Sequence, residues 1–446
     1  MNEFLIHSKR CFIDNQFIEA TIHIENKKIQ GVFEGSNNIK NIPLLDYDNL
    51  IVMPGIIDAH VHINEPGRTE WEGFDTATKA AAIGGVTTLI EMPLNASPVT
   101  TTVDAFNLKQ EAAKNKLHVN CGFYGGIIPN NTNDIEALVE TGVFGIKGFL
   151  THSGIDEFPN VNKSHLENIS PVLKKYDIPL LLHCELTDAN VPKVKNPKSY
   201  QEYLKSRPQH WETNAIDLAL DIQERFDIKV HIVHLSASEG IERIKNRKEK
   251  TDKLTVETCP HYLYFNAENI PDSSPIYKCA PPIREQSNND KLWNYLLDDG
   301  FNFLASDHSP APPKIKQLES GDFFKAWGGI SGLQFTLPIL FSEGKKRGLS
   351  LERLIPLLTQ NPAEFLGLDY KKGKLEKGFD ADIIVWDDNA SFQIMKESIH
   401  HKHKATPYLN ETLFGKVIHT FVNGEQVVEN SKLKTLQQGK ILLKYR

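Results

Sequence analysis

The sequence has no C-x-x-C pair, and its five cysteines, Cys11, Cys121, Cys184, Cys259 and Cys279, are odd in number and widely scattered. That usage argues against a disulfide framework and fits a reducing compartment. Cys11 and Cys121 read as small buried hydrophobes. Long apolar runs are also missing. No stretch approaches the roughly 20 residues that would span a bilayer. Residues 1–20, interrupted by Glu3, Lys9, Arg10, Asp14 and Glu19, contain no continuous apolar segment of the signal-peptide kind. No membrane association is expected, and the expected location is cytoplasmic. Positive charge is not in excess: 50 Lys and Arg against 57 Asp and Glu leave a net charge of −7, which removes support for a nucleic-acid or anionic-membrane partner. Neither G-x-G-x-x-G nor a P-loop follows the first strong strand signal, so dinucleotide and nucleotide-phosphate binding lose their usual support. Internal repeats and low-complexity stretches are absent as well.

What is present is a globular composition, 40% hydrophobic and 24% charged over 446 residues, enough for one large α/β domain and a smaller one. Residues 3–8 and 17–33 alternate apolar and polar positions around polar turns, which predicts short antiparallel strands. The same texture returns at 380–446, where Asn423-Gly424 is a hairpin turn signal. Each block alone is too small to bury much surface, so both termini are expected to build one small β domain, residues 1–53 with 376–446. In between, apolar strand candidates at 56–62, 87–92, 117–124, 143–149, 179–184, 229–235, 253–258 and 302–306 alternate with helix-period segments at 72–83, 103–114, 133–141, 163–176, 213–226, 238–247 and 289–298. Repeated β-then-α units over residues 54–375 predict a (β/α)8 barrel, with a doubly wound open sheet as the competing architecture.

In such a barrel the chemistry lies at the carboxyl ends of the strands. The first strand ends in His60-Val61-His62, whose side chains share a face because strand side chains alternate. Alone, that pair reads more readily as a decorated strand end than as a metal site. The fourth carries a single Lys147 in an apolar run; a buried ammonium there needs a carboxylate partner, a depressed pKa or covalent modification. The fifth ends at His183, the sixth at His234 and the eighth at Asp307. Each has a bland explanation, as a core histidine, a buried ion pair or a turn cap. Their arrival at one rim does not. Imidazole, carboxylate and lysine without thiolates suit two zinc-like divalent ions, provided that Lys147 has taken up CO2 as an anionic carbamate.

His60-x-His62, Lys147, His183, His234 and Asp307, in that order on a (β/α)8 barrel, resemble the binuclear cyclic amidohydrolases, the family of dihydroorotases, hydantoinases (dihydropyrimidinases) and allantoinases. The likeness covers essentially the whole chain. Four longer stretches, 64–73 from Asn64 to Gly73, 90–95 from Ile90 to Asn95, 257–262 from Glu257 to Tyr262, and 325–334 from Lys325 to Gln334, are most similar to the allantoinase branch. The resemblance implies a barrel with a small β-sandwich from both termini. It also implies two divalent ions, Zn²⁺ first among them: one on His60 and His62 with Asp307 completing its shell, one on His183 and His234, and carbamylated Lys147 bridging. The implied reaction is hydrolysis of the ring amide of allantoin by a hydroxide held between the ions, with Asp307 as general base and then acid. A homotetramer is implied too. Asn64 stands where dihydroorotases carry a carboxylate-binding Arg, which favours an uncharged ring substituent. His152 stands where hydantoinases carry a Tyr. Asn64, Asn95, His152 and Cys279 are the expected substrate contacts, and residues 311–328 are a candidate flap. Dihydroorotase or hydantoinase activity is the alternative within the family, and an inert amidohydrolase-like scaffold the alternative outside it.

Overall fold

The computed structural model describes residues 2–37, 39–188, 193–434 and 437–445. Positions 1, 38, 435, 436 and 446 of the expected terminal blocks and 189–192 of the expected barrel lie outside the described residues. The two ends of the chain meet in one sheet. It runs from Lys432–Leu433 through Glu425–Glu429, Thr412–Val422, Ile383–Gln393, Ile51–Pro54, Glu3–Ile13 and Gln16–Glu25 to Lys28–Glu34, with Leu44–Asp46 paired beside Glu3–Ile13. Its hairpins turn on residues that tolerate left-handed backbone: Asp14-Asn15 (φ 47° and 61°), Asn26-Lys27 (51° and 69°) and Asn423-Gly424 (49° and 74°). The sheet closes over Phe4, Ile6, Ile22, Val52, Ile383 and Val385 as a small β-sandwich.

The apolar run that leads to the two histidines is two strands. Ile51–Pro54 runs parallel to Glu3–Ile13 and antiparallel to Ile383–Gln393, so it joins the terminal halves; Ile56–Val61 begins the barrel. Gly55 divides them, because a Cβ there would lie 2.2 Å from the Thr87 hydroxyl oxygen.

The barrel has two hydrogen-bonded ladders. One orders Ile56–Val61, Val86–Glu91 and Asn120–Phe123; the other orders Gly125–Gly126, Ile146–Phe149, Leu180–His183, Val230–Ile232, Leu254–Thr258 and Phe303–Leu304. The third strand changes partner at Tyr124, whose N–H donates to Glu91 O at 2.9 Å while that of Gly125 donates to Gly145 O at 3.0 Å. The ring closes where Val61 bridges His308 in parallel and His62 N–H donates to His308 O at 2.8 Å. Seven of the eight strands fall within the expected segments or one residue of them, several of them shorter; the third runs on to Gly126, two residues past its expected end.

Local chemistry explains the helices between them. Lys163–Tyr176 starts at Asn162, whose side chain accepts from His165 N–H while the His165 ring accepts from Asn162 N–H, and it ends at Asp177 with φ 49°. Its buried Leu166, Ile169 and Leu173 recur at helical spacing. Gln209–Phe226 begins before the expected residue 213, because Pro208 sets the entry and Trp211 already belongs to the buried face. Among the described residues no helix is long and apolar enough to cross a membrane.

Candidate metal centre

Two imidazoles and a carboxylate converge where the first and eighth strands end. His60 Nε2 and His62 Nε2 lie 3.3 and 3.4 Å from Asp307 Oδ1. The other nitrogen of each ring is committed: His60 Nδ1 to Glu257 Oε1 at 2.5 Å, His62 Nδ1 to Leu94 O at 2.6 Å. Because a carboxylate and a carbonyl accept, these nitrogens carry the protons, which leaves both Nε2 lone pairs aimed at the Asp307 oxygen. Asp307 reaches this place by leaving its strand in left-handed backbone, φ 43°. Burial alone would raise its carboxyl pKa, but the imidazoles of His60, His62 and His234 outweigh that and hold it well below the usual carboxylate range.

A second pair sits beside the first. His183 Nδ1 lies 3.0 Å from His234 Nε2, and His183 Nε2 lies 2.8 Å from Glu185 Oε2, to which it donates. Arg207 grips Glu185 through Nε, 3.0 Å from Oε1, and through Nη2 on Oε2. Burial raises the Glu185 carboxyl, yet Arg207 and His183 outweigh it and hold the pKa at about 2. His234 also turns in left-handed backbone, φ 41°, and burial followed by the neighbouring His183 lowers its pKa well below the ordinary value. Phe149 stacks on the His183 ring with centroids 4.5 Å apart. Between the two groups Lys147 is fully buried, and burial lowers its pKa to about 8. Neither Lys147 Nζ nor His234 Nδ1 has a hydrogen-bond partner. Facing lone pairs and orphaned buried nitrogens around one cavity are the donor set that cations take, so the residues present fit a pair of divalent metals.

His60, His62, Lys147, His183, His234 and Asp307 all line one cavity of about 340 Å³. Its wall includes Ile315 and residues 324–329, so the candidate flap does border the site. Two lysines, the buried Lys316 and the half-buried Lys278, tie this segment down. Lys316 Nζ donates to the carbonyls of Lys278 (3.1 Å) and Gly329 (2.6 Å), and Lys278 Nζ donates to Ala326 O at 2.6 Å. Trp327 from the same segment packs edge-on against Trp71, with centroids 4.7 Å apart.

The four expected substrate contacts separate. Asn95 and His152 line the cavity, and the His152 side chain is 58% exposed. Asn64 is fully buried, in left-handed backbone with φ 67°, and is not among the lining residues. Its Oδ1 accepts from Asn95 N (3.4 Å) and Nδ2 (3.2 Å), and its Nδ2 donates to Pro310 O at 3.3 Å, so it fixes Asn95 and the root of the flap segment. Cys279 is buried one residue behind the lining Ala280, and its backbone oxygen accepts from Tyr203 OH at 2.6 Å. Sequence reasoning missed Glu257, Glu185, Arg207 and Lys278. Glu257 carried the same signal as Lys147, one charge at the end of an apolar strand, and Glu185 follows His183 on the same alternation.

A sequence profile described as "Amidohydrolase family" matches residues 51–427. The allantoinase of Arabidopsis thaliana is 43% identical over 97% of this chain and 89% of its own length. That of Saccharomyces cerevisiae is 39% identical, over 96% of this chain and 95% of its own. Among solved structures, an L-hydantoinase (dihydropyrimidinase) from Arthrobacter aurescens superposes with a TM-score of 0.93 at 29% identity, covering 99% of this chain and 100% of that one.

Proposed function

The chain belongs to the amidohydrolase family, and from that premise we propose that it is a cyclic amidohydrolase that opens the ring amide of allantoin to give allantoate. The observation that carries the reading is the single cavity lined by His60, His62, Lys147, His183, His234 and Asp307. Full-length similarity to chains named allantoinase supports the choice of ring.

In this reading His60, His62 and Asp307 hold one divalent ion and His183 and His234 the other, with Lys147 joining them as a carbamate. Nitrogen and oxygen donors without thiolate favour Zn²⁺. Bound there, the ions supply Lewis acidity and a water activated near neutral pH. Lys147 is suited to carbamylation because burial lowers its pKa to about 8 and its amine has no hydrogen-bond partner. Asp307, ionised at neutral pH, accepts the proton of the attacking water and delivers it to the ring nitrogen as the C–N bond breaks. Glu257 and Glu185 keep His60 and His183 in the tautomers the metals need. Asn95 and His152 offer hydrogen bonds to the ring and its ureido arm, Asn64 positions Asn95, and Cys279 acts only through the wall it backs. Residues 54–375 form the catalytic domain, and 1–53 with 376–446 the β domain, supported by the sheet that joins both ends. A homotetramer in the cytoplasm completes the proposal.

The test is to incubate metal-loaded protein separately with allantoin, dihydroorotate, hydantoin and dihydrouracil and to follow ring opening. Allantoin is expected to turn over fastest. Turnover of dihydroorotate with allantoin inert overturns the substrate, and a well-folded protein that takes up no metal overturns the enzyme in favour of a scaffold.

A further inference from the structure

A second use of Asp307 is written into the pairing of the seventh and eighth strands. Glu257 pairs with Phe303 and Thr258 with Leu304, so the residues that follow these two strands emerge side by side. Cys259 precedes the short helix Pro260–Tyr264, and His261 is the second residue of that helix. Cys259 Sγ, a ring nitrogen of His261 and a carboxylate oxygen of Asp307 all lie within 4.8 Å of one another. Cys259 is 0% and His261 1% exposed. An independent observation points to a ligand there: His261 Nε2 is buried and has no hydrogen-bond partner. A fully buried imidazole that has an unpartnered nitrogen, and whose ring lies beside a thiol and a carboxylate, is an unmet demand for a donor or a cation.

We propose that Cys259, His261 and Asp307 form a third metal position, selective for a soft divalent ion of the cadmium type, which shares the Asp307 carboxylate with His60 and His62. A carboxylate has two oxygens and about four lone-pair sites, so one Asp can serve two ions. Sulfur and imidazole select a soft ion over Mg²⁺ or Ca²⁺. On binding, the thiol S–H breaks, its proton leaves to solvent and a sulfur–metal bond forms, with no change of oxidation state. Asp307 lines the cavity and Cys259 and His261 do not, so the ion enters past Asp307. Occupancy ties up the carboxylate that the proposed mechanism needs free for proton transfer. This inhibitory arm, unlike the binding itself, rests on that mechanism.

Metal-loaded protein is titrated with CdCl2 while three quantities are read: the sulfur-to-cadmium charge-transfer absorption in the ultraviolet, cadmium bound per chain, and allantoin turnover. The six residues of the main centre contain no sulfur, so exchange of their ions contributes nothing to that band. The wild type is expected to show the band, to take up one further equivalent, and to lose turnover by about tenfold or more as the proton acceptor is withdrawn. Cys259→Ser is expected to lose the band and the inhibition with its turnover before cadmium unchanged, and His261→Asn to need a higher cadmium concentration for both. Absence of the band in the wild type, or its persistence in Cys259→Ser, overturns the site. A band that disappears with Cys259 but brings no inhibition keeps the site and overturns the role of Asp307.

Discussion

Glu257 holds His60 from behind: its Oε1 accepts from His60 Nδ1 at 2.5 Å, and the same oxygen accepts the backbone N–H of His234 at 3.3 Å. One carboxylate from the seventh strand therefore sets a ring on the first and the backbone at the end of the sixth. Burial raises its pKa, but His60 and then His231 outweigh that and bring it to about 2, so it is an anion throughout the neutral range. Glu257→Gln is expected to lower the affinity for the ion on His60 and His62 by on the order of 10–100-fold. A competition titration against a chelator measures this, and affinity equal to wild type would remove Glu257 from the role.

Lys147 predicts a pH dependence of assembly. Only a neutral amine reacts with CO2, and burial places the Lys147 pKa at about 8, below its ordinary value. The reactive form is therefore scarce at pH 7 and dominant at pH 9, a ratio of about tenfold. Metal-stripped protein given metal and bicarbonate, with the dose adjusted so that dissolved CO2 is equal at both pH values, is expected to regain activity faster at pH 9 than at pH 7. A recovery rate indifferent to bicarbonate would rule out the carbamate.

Asp307→Asn keeps the shape of the side chain and one oxygen while removing the proton acceptor. Turnover is expected to fall by on the order of 10²–10⁴-fold with metal content retained. Steady-state kinetics paired with metal analysis distinguish this from simple loss of the ion, and near-wild-type kcat would sink the assignment.

Asn64 and Asn95 are predicted to act as one unit. With the Asn64 amide oxygen removed, the backbone N–H and side-chain amide of Asn95 lose their shared acceptor in a buried place, a loss of about 1–3 kcal/mol. Asn64→Ala and Asn95→Ala should each raise KM for allantoin, and the double variant should be little worse than either. Fully additive effects would show that Asn64 acts on its own.

The convergence of six residues on one cavity was legible because they are polar interruptions of apolar strands, and the strand-and-helix rhythm tells which ends share a rim. His60, His62, Lys147, His183, His234 and Asp307 needed nothing beyond that rule. Asn64 shows its limit. Two residues past His62, it would still lie on the histidine face if the strand continued, but the strand ends at Val61 and the backbone turns left-handed at Asn64, so its side chain meets Asn95 and Pro310 O instead of the cavity. Such a change of direction leaves no trace in periodicity. Arg207 and Lys278 were hidden for another reason: their partners, the Glu185 carboxylate and Ala326 O, come from other segments, and a charge in a connecting segment looks solvated until its partner is known.

The closure of the ring at Val61 and His308 has a consequence for biogenesis. His60 and His62 belong to the first strand of the barrel and Asp307 to the last, and they face one another only when the seam between those strands is shut. A ribosome-bound chain that has not yet exposed residue 307 holds only two of those three residues. On the proposed assignment, an ion held by all three residues therefore requires a finished barrel, and its binding would report that the seam has closed.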